Sequence, residues 1–420
     1  MKKKFISAIL CAAMTMSLLA GCGSSTGSST ADNSAQTEDA TEVADSGSVA
    51  EESASADTSS DEPCEIYMFI SSPEYADAIG ELIDAYKEVA PNVTINYETT
   101  QNDYPTLLKA KLNSGEVPDI FSSTSGKEID VYKEYSYDLA GQPLTETMSD
   151  AVAATMQSPA DGNGCYGIAI KGNYFGIVYN KAIFEECGIT EFPTTVSAMK
   201  EACEKISAAG YKPFTTGFNE WWVYKHVAQH FFDFIDLAVK YGDDKPLETA
   251  LDGEESAFGT GKAAMVLGQG AWIEADVLAI DPDIQIGFNG YPVTEDASQC
   301  QVISGSDQSL HVNKDSAVLQ QTLDFINWWY TSDYGKAWFT DVAGVVPPIT
   351  SDVQSDFEII KQGDELAASA GAADLEIIYS TDSWHQTFGE LMQSYIAGEN
   401  DKDTTCSEIE RLWKEIEGAQ

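Results

Sequence analysis

Apolar positions along this chain fall alternately into short runs and helical periods. Glu65-Ile66-Tyr67-Met68-Phe69-Ile70, closed by Ser71-Ser72-Pro73, predicts a buried strand. Ile79, Leu82, Ile83, Tyr86 and Val89 then recur at helical spacing until Pro91-Asn92 stops them. A strand over 93–97, a helix over 104–113 and a strand over 119–122 follow. Strands alternating with helices at this pace predict βαβ units and a parallel sheet, hence an α/β fold. In such sheets ligands sit beyond the carboxyl ends of strands. Those ends are here Ser71-Ser72-Pro73-Glu74 and Ser122-Ser123-Thr124-Ser125-Gly126.

Two extended runs come next, Tyr166-Gly167-Ile168-Ala169-Ile170 and Gly176-Ile177-Val178-Tyr179-Asn180. Pro193-Thr194-Thr195 opens a helix with the apolar face Met199, Cys203 and Ile206; Thr195 can cap it, but Ala198 leaves no capping box. Residues 221–234 read as an aromatic-rich helix, and periods through Leu319–Trp329 and Ile409–Ile416 mark two more. No period of 20–50 residues repeats, which excludes a solenoid.

The first sixty residues follow other rules. Lys2, Lys3 and Lys4 precede an apolar stretch, 5–19, too short to span a membrane, and Leu19-Ala20-Gly21-Cys22 closes it with small residues. This pattern resembles the bacterial lipobox, in which the Cys after the cleavage point receives a diacylglyceryl group. The expectation is a signal peptide over 1–21, lipidation at Cys22 and a body held outside the cytoplasm at the membrane surface. Residues 23–63 are nearly all Ser, Ala, Thr, Gly, Asp and Glu, without Lys, Arg or aromatic residues. Such a stretch cannot offset its ordering entropy and is expected to act as a disordered acidic tether over 22–63, spanning roughly 35 Å.

The remainder exceeds the usual single-core limit, so two lobes are the default. The chain carries a formal charge of -45; with ten acids in the tether and three lysines in the leader, residues 64–420 retain -38. That field repels nucleic acid and anionic membrane surfaces. Arg411 is the only arginine, which argues against a phosphate or polycarboxylate ligand and leaves a neutral ligand first and a cation second. The scattered Cys64, Cys165, Cys187, Cys203, Cys300 and Cys406 match no zinc pattern and are read as buried free thiols. His226 and His230 have ligand spacing, but no third ligand completes a metal site.

Several motifs occur in a telling order. Pro118-Asp119-Ile120 precedes Gly167-Ile168-Ala169, Tyr179-Asn180-Lys181, Gly188 and Pro193-Thr194-Thr195. Phe258-Gly259-Thr260-Gly261-Lys262-Ala263-Ala264-Met265 leads to Gly270-Ala271-Trp272, then Gly344-Val345-Val346-Pro347 and Trp384. Across nearly all of 65–420 the set resembles the extracellular solute-binding proteins of sugar ABC importers, family 1, the maltose-binding-protein type. The chemistry agrees: all eight tryptophans lie from Trp221 onward, and sugars bind aromatic faces flanked by carboxylates and amides.

The resemblance implies a two-lobed, type II periplasmic-binding-protein-like α/β fold with hinge strands and a ligand cleft between lobes. It divides the body into an N-terminal lobe, 64–171 plus 293–342, and a C-terminal lobe, 172–292 plus 343–420. Crossings are expected near 170–172, 287–292 and 344–347. By the same resemblance Ser71, Ser72, Glu74, Ser123, Ser125, Asn173 and Tyr174 contact sugar from loops. Glu220 with Trp221 and Trp222 forms an acid-and-aromatic wall in which one of the two indoles faces the cleft. Trp272 and Trp384 stack on the ligand, and Asp307 meets hydroxyls. Asp382, Trp384 and His385 resemble members that take up raffinose- and isomaltose-like oligosaccharides. Trp328, Trp329, Trp338 and Trp413 are expected to pack on helix faces. The implied protein is a monomeric, non-catalytic lipoprotein without cofactor or metal, delivering a neutral mono- or oligosaccharide to an ABC permease. Alternatives are a polyamine or other cation receptor using Glu74, Glu220, Asp307 and Asp382, and a secreted glycosidase using Asp307 and Asp382 as its two carboxylates.

Overall fold

A computed structural model describes residues 62–156, 162, 164–227, 232–351 and 355–418. The leader, Cys22, almost all of the tether and His230 lie outside the described residues. Among the described residues no helix is long and apolar enough to cross a membrane.

Among the described residues twelve strands build the body: β1 (Cys64–Ile70), β2 (Val93–Thr99), β3 (Ile120–Thr124), β4 (Ile168–Ala169), β5 (Asn173–Phe175), β6 (Ile177–Asn180), β7 (Lys212–Thr216), β8 (Ala263–Leu267), β9 (Ile286–Asn289), β10 (Val302–Gly305), β11 (Gln308–Val312) and β12 (Ala372–Asp374). They form a five-stranded sheet β2-β1-β3-β11-β4, a four-stranded sheet β7-β8-β6-β9 and a small sheet β12-β10-β5. The two larger sheets, with their helices, are the cores of two lobes, in line with the two-lobed α/β expectation. β1, β2 and β3 are parallel, as the βαβ pattern predicts, with Cys64 opposite Val93 and Ile70 opposite Thr99. The sheets are nevertheless mixed: β11 runs antiparallel to β3 and β4, and β6 antiparallel to β8 and β9. The reason lies in connection: β11 returns from elsewhere in the chain and inserts without a crossover helix, so no local period announces its direction.

β3 and β8 hide every residue, whereas β1 buries its carboxyl end and leaves Glu65 exposed near its start. The helix Ala76–Val89 buries Ala78, Ile79, Leu82 and Tyr86, while Val89, read from the sequence as part of that face, is exposed at its last turn. Thr195 caps Val196–Ala208 by accepting from the Ala198 amide at 3.2 Å. The aromatic stretch expected as one helix contains Val223–Val227 and Phe232–Tyr241 as separate segments. Trp329 and Trp338 are in the core, and Trp338 donates to the Ala78 carbonyl at 2.7 Å. Trp328 stacks on Tyr334, whereas Trp413 stays 37 % exposed at the edge of Trp384. All six body cysteines are free; Cys203 and Cys300 are buried, but Cys406 is exposed.

The chain leaves the five-stranded sheet after β4 and enters the small sheet at β5 through Ile170, Lys171 and Gly172. The Gly172 amide donates to the Val346 carbonyl at 2.8 Å, so two of the segments expected to cross run side by side.

Candidate functional site

A cleft of about 500 Å³ opens at the carboxyl ends of β1 and β3. From the five-stranded side, Ser71, Pro73 and Glu74 follow β1; Gln101 and Asn102 follow β2; and Ser123 and Thr124 end β3. Facing them are Glu220, Trp221 and Trp222, then Trp272. Trp221 and Trp222 both line the cleft because they stand in a turn before Val223–Val227, where adjacent side chains need not diverge as on a helix.

Gly270 sets the position of Trp272. A Cβ there would stand 2.0 Å from the indole and 2.5 Å from Asn173 Oδ1, so only glycine lets the ring fold back over its own turn. Asn173 holds that turn from below, its Oδ1 accepting from the Ala271 amide at 3.2 Å. The Trp272 ring is 5.9 Å from Phe175 and 6.5 Å from both Trp222 and His226, giving a corner of aromatic faces.

Lys171, at the crossing, reaches the floor of this corner. Its Nζ is 3.4 Å from Glu74 Oε1 and from the Tyr75 hydroxyl, and lies over the Tyr75 and Trp272 rings at 4.6 and 5.3 Å. Burial works against the charge on Lys171; the Tyr75 oxygen, Asp307 and Glu74 outweigh it and hold the ammonium above the ordinary lysine range. Burial pushes the Glu74 carboxyl up against the opposing pull of Lys171.

The opposite rim is acidic. Asp252 and Glu255, three apart on Leu251–Gly259, share the cleft with Asp276 of Ile273–Ile280. Burial, then Asp276 and Asp252, raise Glu255 to about 7. His226 gives its Nδ1–H to the Gly268 carbonyl at 3.2 Å, and burial, aided by Lys225, keeps the ring neutral. Asp382 begins the helix Asp382–Ile396 and accepts from Thr124 Oγ1 at 2.5 Å and from His385 Nδ1 at 3.2 Å. Its burial opposes ionisation, but the His385 and Thr124 hydrogen bonds and Lys225 bring it down to about 2.

Of the residues singled out from the sequence, Ser71, Glu74, Ser123, Glu220, Trp221, Trp222, Trp272, Asp307 and Asp382 come together on the cleft. The others stand behind it. Ser72 is buried and donates to Gln308 Oε1 at 2.6 Å, and Gln308 is the group that reaches the cleft. Ser125 sits among the Ser306 and Ser309 hydroxyls, Asn173 supports the Trp272 turn, and Tyr174 donates to Asp364 at 2.7 Å. Trp384 is buried against Phe388 and Trp413, since it lies two residues from Asp382 on one helix and faces another side. His385 is buried between Asp382 and Ser380, supporting the former.

Sequence reasoning did not single out Lys171, Lys225, Gln308, Asp252, Glu255 or Asp276 for the site. Lys171 is hidden in an apolar crossing. The rim acids did carry a signal, the three-residue spacing of Asp252 and Glu255 and the four-residue step from Trp272 to Asp276.

A profile of bacterial extracellular solute-binding proteins matches residues 71–336. The multiple sugar-binding protein of Streptococcus mutans serotype c is 21 % identical over 315 residues, covering 66 % of this chain and 73 % of that protein. Among solved structures, RafE in complex with raffinose superposes with a TM-score of 0.71 at 16 % identity, covering 85 % of this chain and all of that one. A stachyose-bound sugar transporter protein from Bacillus licheniformis gives 0.70 at 15 % identity, covering 84 % of this chain and 100 % of that one. A chitin oligosaccharide binding protein gives 0.72 at 17 %, with 85 % and 100 % covered. Fold and a match over more than half the length agree: the chain belongs to the bacterial extracellular solute-binding protein family.

Proposed function

We propose that this protein captures a carbohydrate, an oligosaccharide rather than a single sugar, in the cleft between its lobes and delivers it to an ABC permease. The observation that carries the reading is three indoles, Trp221, Trp222 and Trp272, gathered with amide, hydroxyl and carboxylate groups on one cavity of ligand size. Indole faces take the apolar C–H faces of pyranoses, and the polar groups accept and donate to hydroxyls. The relatives named for raffinose, stachyose, chitin oligosaccharide and multiple sugars support the same class. Binding without turnover is the proposed role. Asp382, one of the two carboxylates a glycosidase would need, is already engaged by Thr124 and His385.

In this reading Cys22 carries the lipid, residues 22–63 tether the body, and the lobes divide as 64–171 plus 293–342 and 172–292 plus 343–420. Calorimetry against raffinose, stachyose and chitin oligosaccharides tests the ligand class. Replacing Trp272 by Ala is expected to weaken the best ligand by about 2–4 kcal/mol; an unchanged Kd would remove the site from this cleft. Cys22→Ser should move the protein from membrane to medium in a bacterial host; continued membrane retention would refute the anchor.

A further inference from the structure

Seven carboxylates line the cleft, namely Glu74, Glu220, Asp252, Glu255, Asp276, Asp307 and Asp382, against two ammonium groups, Lys171 and Lys225. The cations are not shared evenly. Lys171 answers Glu74 and Asp307, and Lys225 acts on Asp382. Among the described residues no lysine or arginine bridges Asp252, Glu255 or Asp276. Asp252 and Glu255 share a helix face, Asp276 stands one turn beyond Trp272, and the three carboxylates act on one another in the cleft that the aromatic corner also lines.

A second, independent observation lies deeper in the same cleft. His226 is 2 % exposed and Trp222 6 %, and among the described residues neither His226 Nε2 nor Trp222 Nε1 has a hydrogen-bond partner. His226, neutral with its Nδ1–H committed to Gly268, presents Nε2 as an acceptor, whereas the indole N–H is a donor. Both atoms are closed to solvent, so a ligand meets them only when a side chain turns; one that answers both must itself donate and accept, which a sugar hydroxyl does. A fully protonated polyamine only donates and leaves the indole unanswered.

We propose that the saccharide this cleft selects bears a protonated amine, its ring in the corner of Trp222, Trp272 and His226 and its ammonium among Asp252, Glu255 and Asp276. This rests on the carbohydrate reading above. A neutral sugar uses these carboxylates as acceptors but leaves three like charges crowded together. An ammonium satisfies the same acceptors, relieves the crowding, and lies beside an indole face that favours cations. Burial first, and then the charges of Asp276 and Asp252, raise Glu255 to about 7.

The test is calorimetry at pH 7 on the full chain with matched sets that differ at one substituent. Glucosamine, galactosamine and their β-1,4- and α-linked di- and trisaccharides are compared with the N-acetyl and parent hydroxyl forms of each, with spermidine and Ca²⁺ run alone. The expected result is an amine-bearing member bound at least tenfold tighter than both of its counterparts. In the folded double variant Glu255→Gln, Asp276→Asn that gap should fall below threefold. N-acetyl or hydroxyl forms binding as tightly as the amine in every set would overturn the proposal and leave the carbohydrate reading standing. A gap that survives the double variant would overturn the assigned seat. Binding of spermidine or Ca²⁺ with no saccharide bound, or of nothing at all, would overturn the carbohydrate reading itself.

Discussion

Lys171 ties the floor of the cleft to its wall. Its side chain is 4 % exposed, and the ammonium stands between the Glu74 side chain, 19 % exposed, and the faces of Tyr75 and Trp272. Removing the cation by Lys171→Met leaves Glu74 and Asp307 facing each other unpaired. Because Glu74 keeps some contact with water, the expected loss is about 2–4 kcal/mol rather than the full cost of breaking a sealed ion pair. Urea denaturation at pH 7 measures it, and a variant as stable as the parent would show that solvent already screens the pair. At this scale the sequence announced part of the site and concealed part. Trp272 was legible because Gly270 two residues earlier signals a backbone turned back on itself. Trp384 was misleading because a family position says nothing of helical phase, and phase turns it toward Phe388. Lys171 was illegible because a lysine inside Ile168–Phe175 reads as a break between strands until the fold brings Glu74 to it.

Elements are joined around buried titratable groups, and two of these give opposite pH signatures. Glu128, on the helix Lys127–Tyr132, accepts from the Asp382 amide at 2.9 Å and so closes the first turn of Asp382–Ile396. Burial, followed by the Asp382 charge, pushes its carboxyl up to about 8. A native value above the unfolded one means that stability is full below about pH 4.5 and declines as pH rises toward 8. Glu128→Gln keeps an acceptor for the amide and removes that decline, so the variant should gain on the parent between pH 6 and pH 8 in urea titrations. Parallel curves would mean that Glu128 titrates as an ordinary carboxyl. His311 works the other way. It is fully buried between the Ser123 and Ser136 hydroxyls at 2.7 and 2.9 Å, and burial lowers it to about 3. Its contribution is full above about pH 6.5 and is lost on acidification, at about 1.4 kcal/mol per pH unit down to the native value. The deficit of His311→Gln should therefore shrink by about 2 kcal/mol between pH 6.5 and pH 5; a constant deficit would refute the assignment. Neither linkage was readable beforehand, since each joins residues more than 150 positions apart. The elements themselves were readable, because burial of whole strands and of helix faces leaves periods of 2 and 3.6 in the sequence. Strand direction was readable only where a helix links successive strands of one sheet, as from β1 to β2 and from β2 on to β3, both of which flank β1.

At the scale of the molecule, the two large sheets are joined by short extended segments that lie against one another at Gly172 and Val346. A connection of this kind, a few residues wide between two rigid cores, permits rotation of one lobe on the other at small local cost. The cleft supplies the reason to rotate: Glu74, Gln308 and Thr124 stand at the five-stranded sheet and Trp222 and Trp272 beside the four-stranded one, so a ligand touching both is held best when the gap narrows. A ligand that binds only the native state at a hundredfold excess over Kd stabilises it by about 2.7 kcal/mol, whether or not the lobes move. Thermal shift alone therefore reports binding and not closure. Small-angle scattering separates them, because closure lowers the radius of gyration whereas binding to a fixed cleft does not. The expectation is a smaller radius with the saturating saccharide. In Trp272→Ala, at ligand concentrations that saturate its weaker site, contraction should diminish along with the loss of the wall. A ligand that raises the melting temperature at an unchanged radius would show the cleft to be preformed, and the paired crossings at Gly172 and Val346 would then act as a brace instead of a hinge.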